Sequence, residues 1–564
     1  MSASGKEKGG AKPWFKYYDP GVPTRIDPAD KTLQGYFRET ANRYPDHYAL
    51  SFMGAKITYR ELLAMVNRFS RALRDSGLLP GSKLAIHLPN CPQFVIAYCG
   101  ALQAGYTVVP CNPLYVEREM EYQLNDSEAE AIVTLSRFYP MIKNIEQKTG
   151  LKKIIAARIK DYFPGFLRFL YTLTREKKEG ERVSLQPGDA WFEDFLKGYP
   201  DSFAEDYGKP DDPACLLYTG GTTGTSKGAV LTHRNLATNA IQTASFLPDL
   251  KEGEEKGIAV LPFFHSYGLT TCLNLALIKG GTLVLVPRFD VKMILKLIDK
   301  EKPTLFPGVP TLYVALINSP EIKKYDLSSI RVCNSGAAPL PVEVQARFEE
   351  ITGGRLIEGY GLTETSPVTH SNPVYGTRKA GSIGVPLPGT DAKVVDLDNP
   401  GREVPAGESG ELVVSGPQIM QGYYKKPEET AETLRNGWLH TGDIAKMDED
   451  GFFYIVDRKK DIVIAGGYNI VPREIEEVLY SHPKVQEAVA VGVPDEYRGE
   501  TIKAFIVLKE DKSMAEEEVI DFCKQHLASY KVPRKVEFRE ELPKTMVGKI
   551  LRRVLAEEER AKFS

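Results

Sequence analysis

The chain has 564 residues, 42% of them hydrophobic and 26% charged, and a formal net charge of −3. This length exceeds what one hydrophobic core usually serves, so we expect at least two domains of an ordinary soluble globular protein. The charge excludes a general nucleic-acid binder, because that role needs a basic excess. Seven scattered cysteines without metal-ligand spacing indicate reduced thiols in a cytoplasmic protein, and no run of about 18 apolar residues predicts a membrane span.

The first half of the chain predicts layered helices and strands. Residues 1–30 are interpreted as a loose N-terminal tail. From residue 31 to about 390, strand-like apolar runs alternate with helical patterns, as in Thr282–Val286 followed by Met293–Lys300 and the predicted strand Thr304–Phe306. Such alternation is typical of α/β layers with largely parallel sheets.

The composition and the hydrophobic pattern of the chain change after about residue 390. Short strands separated by Gly, Pro and Asp predict a β-rich subdomain at about 391–456, which completes an N-terminal domain of residues 31–456. The basic run 457–461 is interpreted as a hinge linker. Residues 462–564 combine strands and helices in a small α+β domain. The predicted fold class is therefore α/β: a large N-terminal domain of stacked α/β sheets with a β-rich subdomain, followed by a small C-terminal domain.

The segment Tyr218–Asn235, reading YTGGTTGTSKGAVLTHRN, carries the strongest chemical signal of the sequence. Glycines let backbone N–H groups approach phosphate oxygens, hydroxyls add donors, and Lys227 adds a point charge. A Walker A loop is excluded on spacing, because Ser226 precedes Lys227 and Gly228 follows it. The predicted nucleotide-phosphate residues are Thr219, Gly220, Gly221, Thr222, Thr223, Gly224, Thr225 and Lys227.

Two further turns suit the remainder of a nucleotide. The small-residue segment Asn334–Pro339 is flat enough to accept a planar base. The segment Glu358–Thr365 combines Tyr360, an aromatic that can stack on adenine, with Glu364, a carboxylate that can bind Mg²⁺. Either segment alone would be interpreted as a plain turn. Together with the phosphate loop they favour a nucleotide and Mg²⁺ site.

These segments occur in the order found in the acyl/aryl-adenylate-forming superfamily, which the chain resembles from about residue 12 onward. The shared motifs are YTGGTTGTSKG, EGYGLTET, TGD at Thr441–Asp443, DRKKD at 457–461 and PKTMVGKILRR at Pro543–Arg553. The segment Asn436–Lys460 is similar to the signature of fatty-acyl-CoA synthetases, and Cys111–Asp126 resembles bacterial long-chain fatty-acid–CoA ligases. The resemblance implies ATP-dependent ligation of a long-chain fatty acid to coenzyme A through an acyl-adenylate, with release of AMP and pyrophosphate.

The resemblance also implies roles for individual residues. The phosphate loop would hold the β- and γ-phosphates, Asp443 would accept hydrogen bonds from the ribose, and Glu364 would be the Mg²⁺ ligand. The implied catalytic residues are Lys549, Glu364 and His265. The other implied binding residues are Gly336, Ala337, Tyr360, Gly361, Thr363, Asp443, Arg458, Gly466 and Gly467.

The C-terminal domain is implied to be mobile. In the family it rotates about the linker, so that one face presents the catalytic lysine and the other presents the loop with Gly466 and Gly467, which would let pantetheine pass. Lys544 is an alternative catalytic lysine, but the Gly548–Lys549 pair fits the family motif.

The residues that would bind the acid are less well defined by the sequence. The alternative for His265 is a packed histidine at a strand end. The tryptophan gate of some long-chain members cannot be carried over, because Tyr267, Gly268 and Leu269 stand there.

The stretch 161–182, reading DYFPGFLRFLYTLTREKKEGER, supports a separate hypothesis. It is too short to span a bilayer, yet aromatic and basic enough to lie on one. The hypothesis is peripheral contact with the inner face of the cell membrane, where fatty acids partition. The alternative is an ordinary core helix with a solvated tail.

Other functions remain open at this point. The acid could be of medium chain length or an aryl acid, and the acceptor could be a carrier-protein thiol. A non-catalytic acyl- or nucleotide-binding protein is the alternative of a different class. An oligomer is compatible with the sequence, but no feature supports it.

Overall fold

The computed structural model describes residues 12–202, 205–219, 226–458, 461, 463–465, 468–495, 499–545 and 550–563. The strands in chain order are β1 (Tyr48–Phe52), β2 (Ala55–Thr58), β3 (Lys83–His87), β4 (Thr107–Pro110), β5 (Ala131–Leu135), β6 (Lys153–Ala157), β7 (Ala190–Trp191), β8 (Pro213–Thr219), β9 (Lys227–Thr232), β10 (Lys256–Ala259), β11 (Thr282–Leu285), β12 (Val332–Ser335), β13 (Arg355–Gly361), β14 (Val368–Ser371), β15 (Val385–Pro386), β16 (Asp391–Val395), β17 (Ser409–Ser415), β18 (Gly422–Tyr423), β19 (Leu434–Arg435), β20 (Trp438–Met447), β21 (Phe453–Arg458), β22 (Val463–Ala465), β23 (Tyr468–Ile470), β24 (Val485–Asp495), β25 (Gly499–Leu508) and β26 (Lys535–Phe538).

The helices alternate with these strands. They are α1 (Leu33–Arg43), α2 (Tyr59–Asp75), α3 (Pro92–Gln103), α4 (Glu117–Ser127), α5 (Tyr139–Ile145), α6 (Gly165–Thr174), α7 (Phe192–Leu196), α8 (His233–Ser245), α9 (Ser266–Gly268), α10 (Leu275–Lys279), α11 (Val291–Glu301), α12 (Pro310–Ile317), α13 (Val342–Thr352), α14 (Pro427–Thr433), α15 (Pro472–Tyr480), α16 (Glu516–His526) and α17 (Arg552–Phe563). A π-helical turn, Leu269–Asn274, joins α9 to α10, and 3-10 turns occupy Pro13–Tyr17, Ser136–Phe138, Glu146–Lys148, Ile159–Tyr162, Ile322–Lys324 and Thr363–Thr365.

An eight-stranded sheet is the largest layer, with strand order β18–β9–β8–β4–β3–β5–β6–β7. Its central strands are parallel, and Leu84 lies opposite both Val108 and Ala131. These strands are short apolar runs that are almost fully buried, the pattern of parallel sheets whose two faces are covered by helices. Helix α3 is one such cover, and all of its residues are buried. The carboxyl ends of β3, β4, β5 and β6 therefore lie along one edge.

Two four-stranded sheets complete the α/β layers, with orders β10–β11–β1–β2 and β12–β13–β14–β15. Leu305 connects them through isolated parallel bridges to Gly257 and Val332. The predicted strand Thr304–Phe306 thus pairs on both sides, but as single-residue bridges and not as an extended strand. Its flanking residues, Pro303 and Pro307, have no backbone N–H with which to continue a ladder.

The β-rich region contains an antiparallel sheet of β16, β17, β20 and β19, with β21 paired to β20. Residues 12–22, which we expected to belong to a loose tail, pack against this region. The buried indole of Trp14 lies 6.1 Å from the ring centroid of Phe453. The buried Asp19 carboxylate accepts the backbone N–H of Val374 over 2.7 Å. Single anchoring contacts of this kind leave no periodic pattern in the sequence.

The C-terminal part folds around its own sheet, with order β23–β22–β25–β24 and β26 added parallel to β25. Helices α15 and α16 cover a separate hydrophobic core that includes Ile475, Ala504 and Cys523. Strand β21 extends through Arg458, so the first two residues of the predicted hinge 457–461 belong to a strand, while 459 and 460 lie outside the described residues. The predicted α/β class, with a large domain and a small C-terminal one, is confirmed.

The described ranges contain no helix with the length and apolar character needed to cross a bilayer. All seven cysteines are buried free thiols, as expected.

Candidate active site

A cavity of about 2060 Å³ lies between the N-terminal layers and the C-terminal part. The loops after β4 and β10 and the ends of β8, β12 and β13 form one wall, with Asn112, His265, Thr219, Asn334 and Gly361 among the lining residues. Strand β24 and the start of α17 form the facing wall. Carboxyl ends of strands commonly bind ligands in α/β sheets, because loops from distant parts of the sequence meet there.

The predicted phosphate loop connects β8 to β9, and Thr219 lies opposite Lys227 at its base. The Ser226 hydroxyl donates to the Thr219 carbonyl over 2.5 Å, and the Tyr122 hydroxyl donates to the Ser226 carbonyl over 2.8 Å. These bonds hold the base of the loop in place. The predicted residues Gly220, Gly221, Thr222, Thr223, Gly224 and Thr225 lie outside the described residues.

Tyr423 connects the loop lysine to the predicted metal ligand. The Lys227 ammonium lies 5.1 Å from the Tyr423 ring centroid, and the Tyr423 hydroxyl donates to Glu364 Oε1 over 2.7 Å. Burial, followed by the Glu364 charge, holds the pKa of Tyr423 well above its ordinary value, so the hydroxyl keeps its proton and remains a donor. Tyr423 was not among the predicted site residues, because it lies 59 residues after Glu364 and outside the motifs.

The residues predicted to bind adenine and ribose also contact one another. The Tyr360 hydroxyl donates to Asp443 Oδ2 over 2.5 Å, and Arg458 Nε lies 3.0 Å from Asp443 Oδ1. Asp443 and Arg458 are partners across β20 and β21. The Asp443 charge is the main cause of a raised pKa at Arg458, so the guanidinium keeps its charge beside Asp443. Each Asp443 oxygen keeps a second lone pair for another donor.

The turn after β12 is closely packed. A Cβ at Gly336 would lie 3.1 Å from the Tyr267 ring, and Ala337 has a left-handed φ of +65°. The Tyr267 hydroxyl lies 2.7 Å from the carbonyl oxygen of Asn334. Tyr267 is therefore held as a fixed part of the wall. Gly361 is required sterically, because its Cβ would lie 1.9 Å from the nearest backbone carbonyl oxygen.

His265 lies in the cavity wall and also caps α9. Its Nδ1 accepts the backbone N–H of Tyr267 over 3.3 Å. The next residue, Ser266, contacts Thr363, with 3.4 Å between their hydroxyl oxygens. Helix α9 therefore contacts the turn that carries Glu364, and His265 combines a local structural contact with a position facing the site.

A buried ionic cluster joins the C-terminal part to β21. We call Asp457, Arg473, Glu476 and Arg552 the hinge cluster. Arg552 lies 3.2 Å from Asp457 Oδ1 and 2.5 Å from Glu476 Oε2, and the Arg473 backbone N–H donates to Asp457 Oδ2 over 3.2 Å. Burial raises the pKa of Asp457 and of Glu476, and the Arg552 charge opposes both shifts. Asp457 and Arg552 stand in recognised motifs, but the sequence did not predict that they form a cluster.

The predicted Lys549, Gly466 and Gly467 lie outside the described residues. Thr545 and Ile550, the nearest described residues on either side of Lys549, line the cavity. The alternative lysine, Lys544, forms an ion pair with Glu487 at 2.5 Å.

Residues 37–424 match the AMP-binding enzyme family, and residues 474–549 match the AMP-binding enzyme C-terminal domain. These matches cover most of both walls of the cavity. The chain thus belongs to the AMP-binding enzyme family and has that family's fold.

Similar proteins identify a more specific family within the AMP-binding enzymes. A long-chain-fatty-acid–CoA ligase of Bacillus subtilis (strain 168) is 48% identical over 97% of this chain and 98% of its own length. One of Escherichia coli O6:H1 is 42% identical over 98% of this chain and 99% of its own. ATP-bound MatB from Rhodopseudomonas palustris is 31% identical with a TM-score of 0.83, over 94% of this chain and all of that one. The chain belongs to the long-chain-fatty-acid–CoA ligase family, which confirms the resemblance seen in the sequence.

Proposed function

We propose that the protein joins a long-chain fatty acid to coenzyme A with ATP, through an acyl-adenylate, and releases AMP and pyrophosphate. The observation that carries this proposal is one cavity that joins Lys227, Tyr423 and Glu364 to the cluster of Tyr360, Asp443 and Arg458. A carboxylate is a poor electrophile, so a thiol does not attack it at neutral pH. Activation must therefore precede thioester formation.

In the first step a carboxylate oxygen attacks the α-phosphorus, and the bond to the β-phosphate breaks. Lys227 and its loop hold the β- and γ-phosphates, whose departing charge the ammonium stabilises. Tyr360 and the 336–337 turn hold adenine, and Asp443 and Arg458 hold the ribose. In the second step the sulfur of coenzyme A, having lost its proton, attacks the acyl carbonyl and AMP leaves.

Glu364 fits a Mg²⁺ site that substrate phosphates complete. Tyr423 donates to only one of its two carboxylate oxygens, and oxygen is the ligand atom that Mg²⁺ prefers. No group of three or more metal-binding side chains occurs in the described ranges. Bound there, Mg²⁺ would neutralise phosphate charge.

Lys549 is proposed to stabilise the charge that develops at the α-phosphate. Support comes from the flanking residues Thr545 and Ile550 in the cavity wall, and from the ion pair that already engages Lys544. This arrangement suits adenylation. Rotation about the hinge at 457–461 would replace this wall with the loop of Gly466 and Gly467 for thioester formation. His265 is proposed to contact the acid.

The proposal includes peripheral contact between residues 161–182 and a membrane at the cytoplasmic side. Fatty acids partition into bilayers, so an enzyme held there meets a raised substrate concentration. Coenzyme A, ATP and the fatty acid are the partners required, and no oligomer is proposed.

The test is release of AMP and pyrophosphate from palmitate, Mg-ATP and coenzyme A. Lys549→Ala should reduce the rate of pyrophosphate release at least about a hundredfold, because one preorganised charge contributes roughly 3 kcal/mol. Lys544→Ala is the matched control and should change the rate only a few fold. If Lys549→Ala and Lys544→Ala lowered the rate of pyrophosphate release equally, the catalytic role proposed for Lys549 would be contradicted. Pyrophosphate release without formation of a CoA thioester would indicate that the acceptor is a thiol other than coenzyme A. If no acid supports pyrophosphate release, the proposal is overturned.

A further inference from the structure

The loop that carries His265 follows β10 and is held by a side chain from a different sheet. The chain leaves β10 at Ala259 and passes through the buried Leu261 and Phe263 before His265 reaches the cavity wall. Backbone N–H and C=O groups in such a buried segment need hydrogen-bond partners within the protein, because water does not reach them. These partners fix where the loop runs, and therefore where the imidazole of His265 lies.

Asn90 supplies three of these partners. It lies in the loop between β3 and α3, so it belongs to the eight-stranded sheet, whereas β10 belongs to a four-stranded one. Its amide nitrogen donates to the carbonyl of Ala259 over 2.9 Å and to that of Leu261 over 2.8 Å. Its amide oxygen accepts the backbone N–H of Phe263 over 2.9 Å. One buried side chain thus bonds alternate residues of the loop, as a neighbouring strand would.

Two of these bonds hold the residues on either side of Pro262. The Pro262 carbonyl in turn accepts the backbone N–H of His265 over 3.1 Å. Pro262 has no N–H of its own with which to fix the loop. A chain of hydrogen bonds therefore runs from Asn90 through residues 261–263 to the backbone of His265.

Helices α9 and α3 pack against the same loop. A Cβ at Gly268 on α9 would lie 2.4 Å from the Pro262 carbonyl oxygen, so this helix lies directly on the loop. The buried ring of Phe263 lies 5.4 Å from that of Phe94 on α3. A shift of the loop must therefore move α9, whose N-cap residue His265 lines the cavity.

The hydrogen-bond pattern at residue 90 selects a carboxamide. It needs two donors and one acceptor on a short side chain, and asparagine is the shortest side chain with that set. Aspartate would place an acceptor against two carbonyl oxygens, and a serine hydroxyl has one hydrogen to donate. Replacing Asn90 therefore leaves buried backbone groups of the loop unpaired, which favours a shift of the loop.

We propose that Asn90 is a positioning residue for the acid, because its carboxamide holds residues 259–263 and thereby fixes the imidazole of His265 in the cavity wall. This inference rests on the proposed function, in which His265 contacts the acid. In that function Tyr360 and Asp443 hold ATP. Loss of the Asn90 amide should therefore weaken the use of the acid and leave the use of ATP unchanged.

The first experiment compares the full-length protein with Asn90→Ala in pyrophosphate release from palmitate, Mg-ATP and coenzyme A. The KM for palmitate should rise at least about tenfold, because buried hydrogen bonds that hold the acid-binding loop are lost, and the KM for ATP should stay within about twofold. A variant that only folds less well would lose kcat and keep both KM values. In a His265→Ala background, Asn90→Ala should raise the KM for palmitate by no more than about twofold, because its effect passes through His265.

Hydrogen exchange of the protein without substrates tests the bonds themselves. Exchange of the Phe263 amide should be at least about tenfold faster in Asn90→Ala, because that N–H loses its acceptor. This measurement needs no turnover, so the inference and the proposed function can fail separately. Asn90→Asp keeps the side-chain size but sets an oxygen against two carbonyl oxygens, so it should also raise the KM for palmitate. It replaces Asn90→Ala in both measurements if that variant does not fold.

Gln93→Ala is the matched control. Gln93 is a buried amide close to Asn90 in the sequence, but its Nε2 donates to the Arg158 carbonyl over 2.9 Å, so its loss should alter neither KM nor the exchange of Phe263. The inference is overturned if Phe263 exchange is unchanged in Asn90→Ala, or if the KM for palmitate stays within about twofold of that of the unaltered protein. It is also overturned if the KM for ATP rises as much as that for palmitate, since Asn90 would then support the domain as a whole.

Discussion

At the scale of residues, the contact between Tyr423 and Glu364 makes a sharp prediction about metal binding. Tyr423→Phe keeps the ring beside Lys227 but removes the 2.7 Å hydrogen bond to Glu364. A hydrogen bond to a charged group contributes about 1.5–3 kcal/mol, so an unsupported carboxylate should hold Mg²⁺ in a poorer position. We expect the Mg²⁺ concentration for half-maximal pyrophosphate release to rise about tenfold or more.

The neighbouring hydroxyl provides a control for this measurement. Tyr424 donates to Glu128 over 2.6 Å, so Tyr424→Phe removes a comparable bond without touching Glu364. Its Mg²⁺ dependence should stay unchanged. An unchanged Mg²⁺ dependence in Tyr423→Phe would contradict the metal role of Glu364 or the support given by Tyr423.

The raised pKa of Glu358, the first residue of the EGYGLTET motif, should make the stability of the protein depend on pH. Burial raises its pKa from 4.5 to about 7, and the Arg473 charge opposes part of the shift. Between these two pH values the folded state holds the proton more tightly than the unfolded state, so stability falls as pH rises. Glu358→Gln cannot ionise and should be more stable than the unaltered protein at pH 8, by roughly 3 kcal/mol.

Thermal unfolding of both proteins at pH 5 and pH 8 checks this prediction. The difference in midpoint should be small at pH 5, where Glu358 is largely protonated in the folded state, and should widen at pH 8. Glu350→Gln, which changes an exposed carboxylate on α13, should show no such widening. A pH-independent difference for Glu358→Gln would mean that this carboxyl is ionised throughout.

At the scale of elements, some features of the fold can be predicted from the sequence and others cannot. Motifs and alternating patterns predict the α/β layers, because hydrogen bonding and burial repeat along each element. The pattern of α6 was visible too, but a periodic stripe does not say what covers it. Phe166 follows the same spacing as a core residue and is 76% exposed.

Contacts between distant elements account for the part of the site that the sequence did not predict. Tyr423 on β18 reaches Glu364, and Arg552 on α17 reaches Asp457 on β21, across 95 residues. Neither contact has a local pattern, since each depends on how whole sheets and helices are placed. Trp14 is a third case, because a single buried indole anchors a segment without periodicity.

At the scale of the whole molecule, the hinge cluster lies where the proposed rotation of the C-terminal domain would take place. Arg552 and Glu476 belong to the same C-terminal part, whereas Asp457 belongs to β21 and pairs with Arg552 at 3.2 Å. Asp457 is therefore the member whose contacts must change if the C-terminal domain rotates. Its charge stabilises the arrangement in which Thr545 and Ile550 face the cavity.

Asp457→Asn should weaken this arrangement selectively, because it removes one charge and leaves the pair of Arg552 with Glu476 in place. Losing one charged hydrogen bond corresponds to about 1.5–3 kcal/mol, so pyrophosphate exchange in the first half-reaction should fall about tenfold or more. Thioester formation from a supplied acyl-adenylate should change little, since the proposed mechanism assigns that step to the other arrangement. Glu557→Gln, a change to an exposed carboxylate on α17, should affect neither half-reaction. Equal losses in both half-reactions would show that Asp457 supports the fold as a whole and does not bias the rotation.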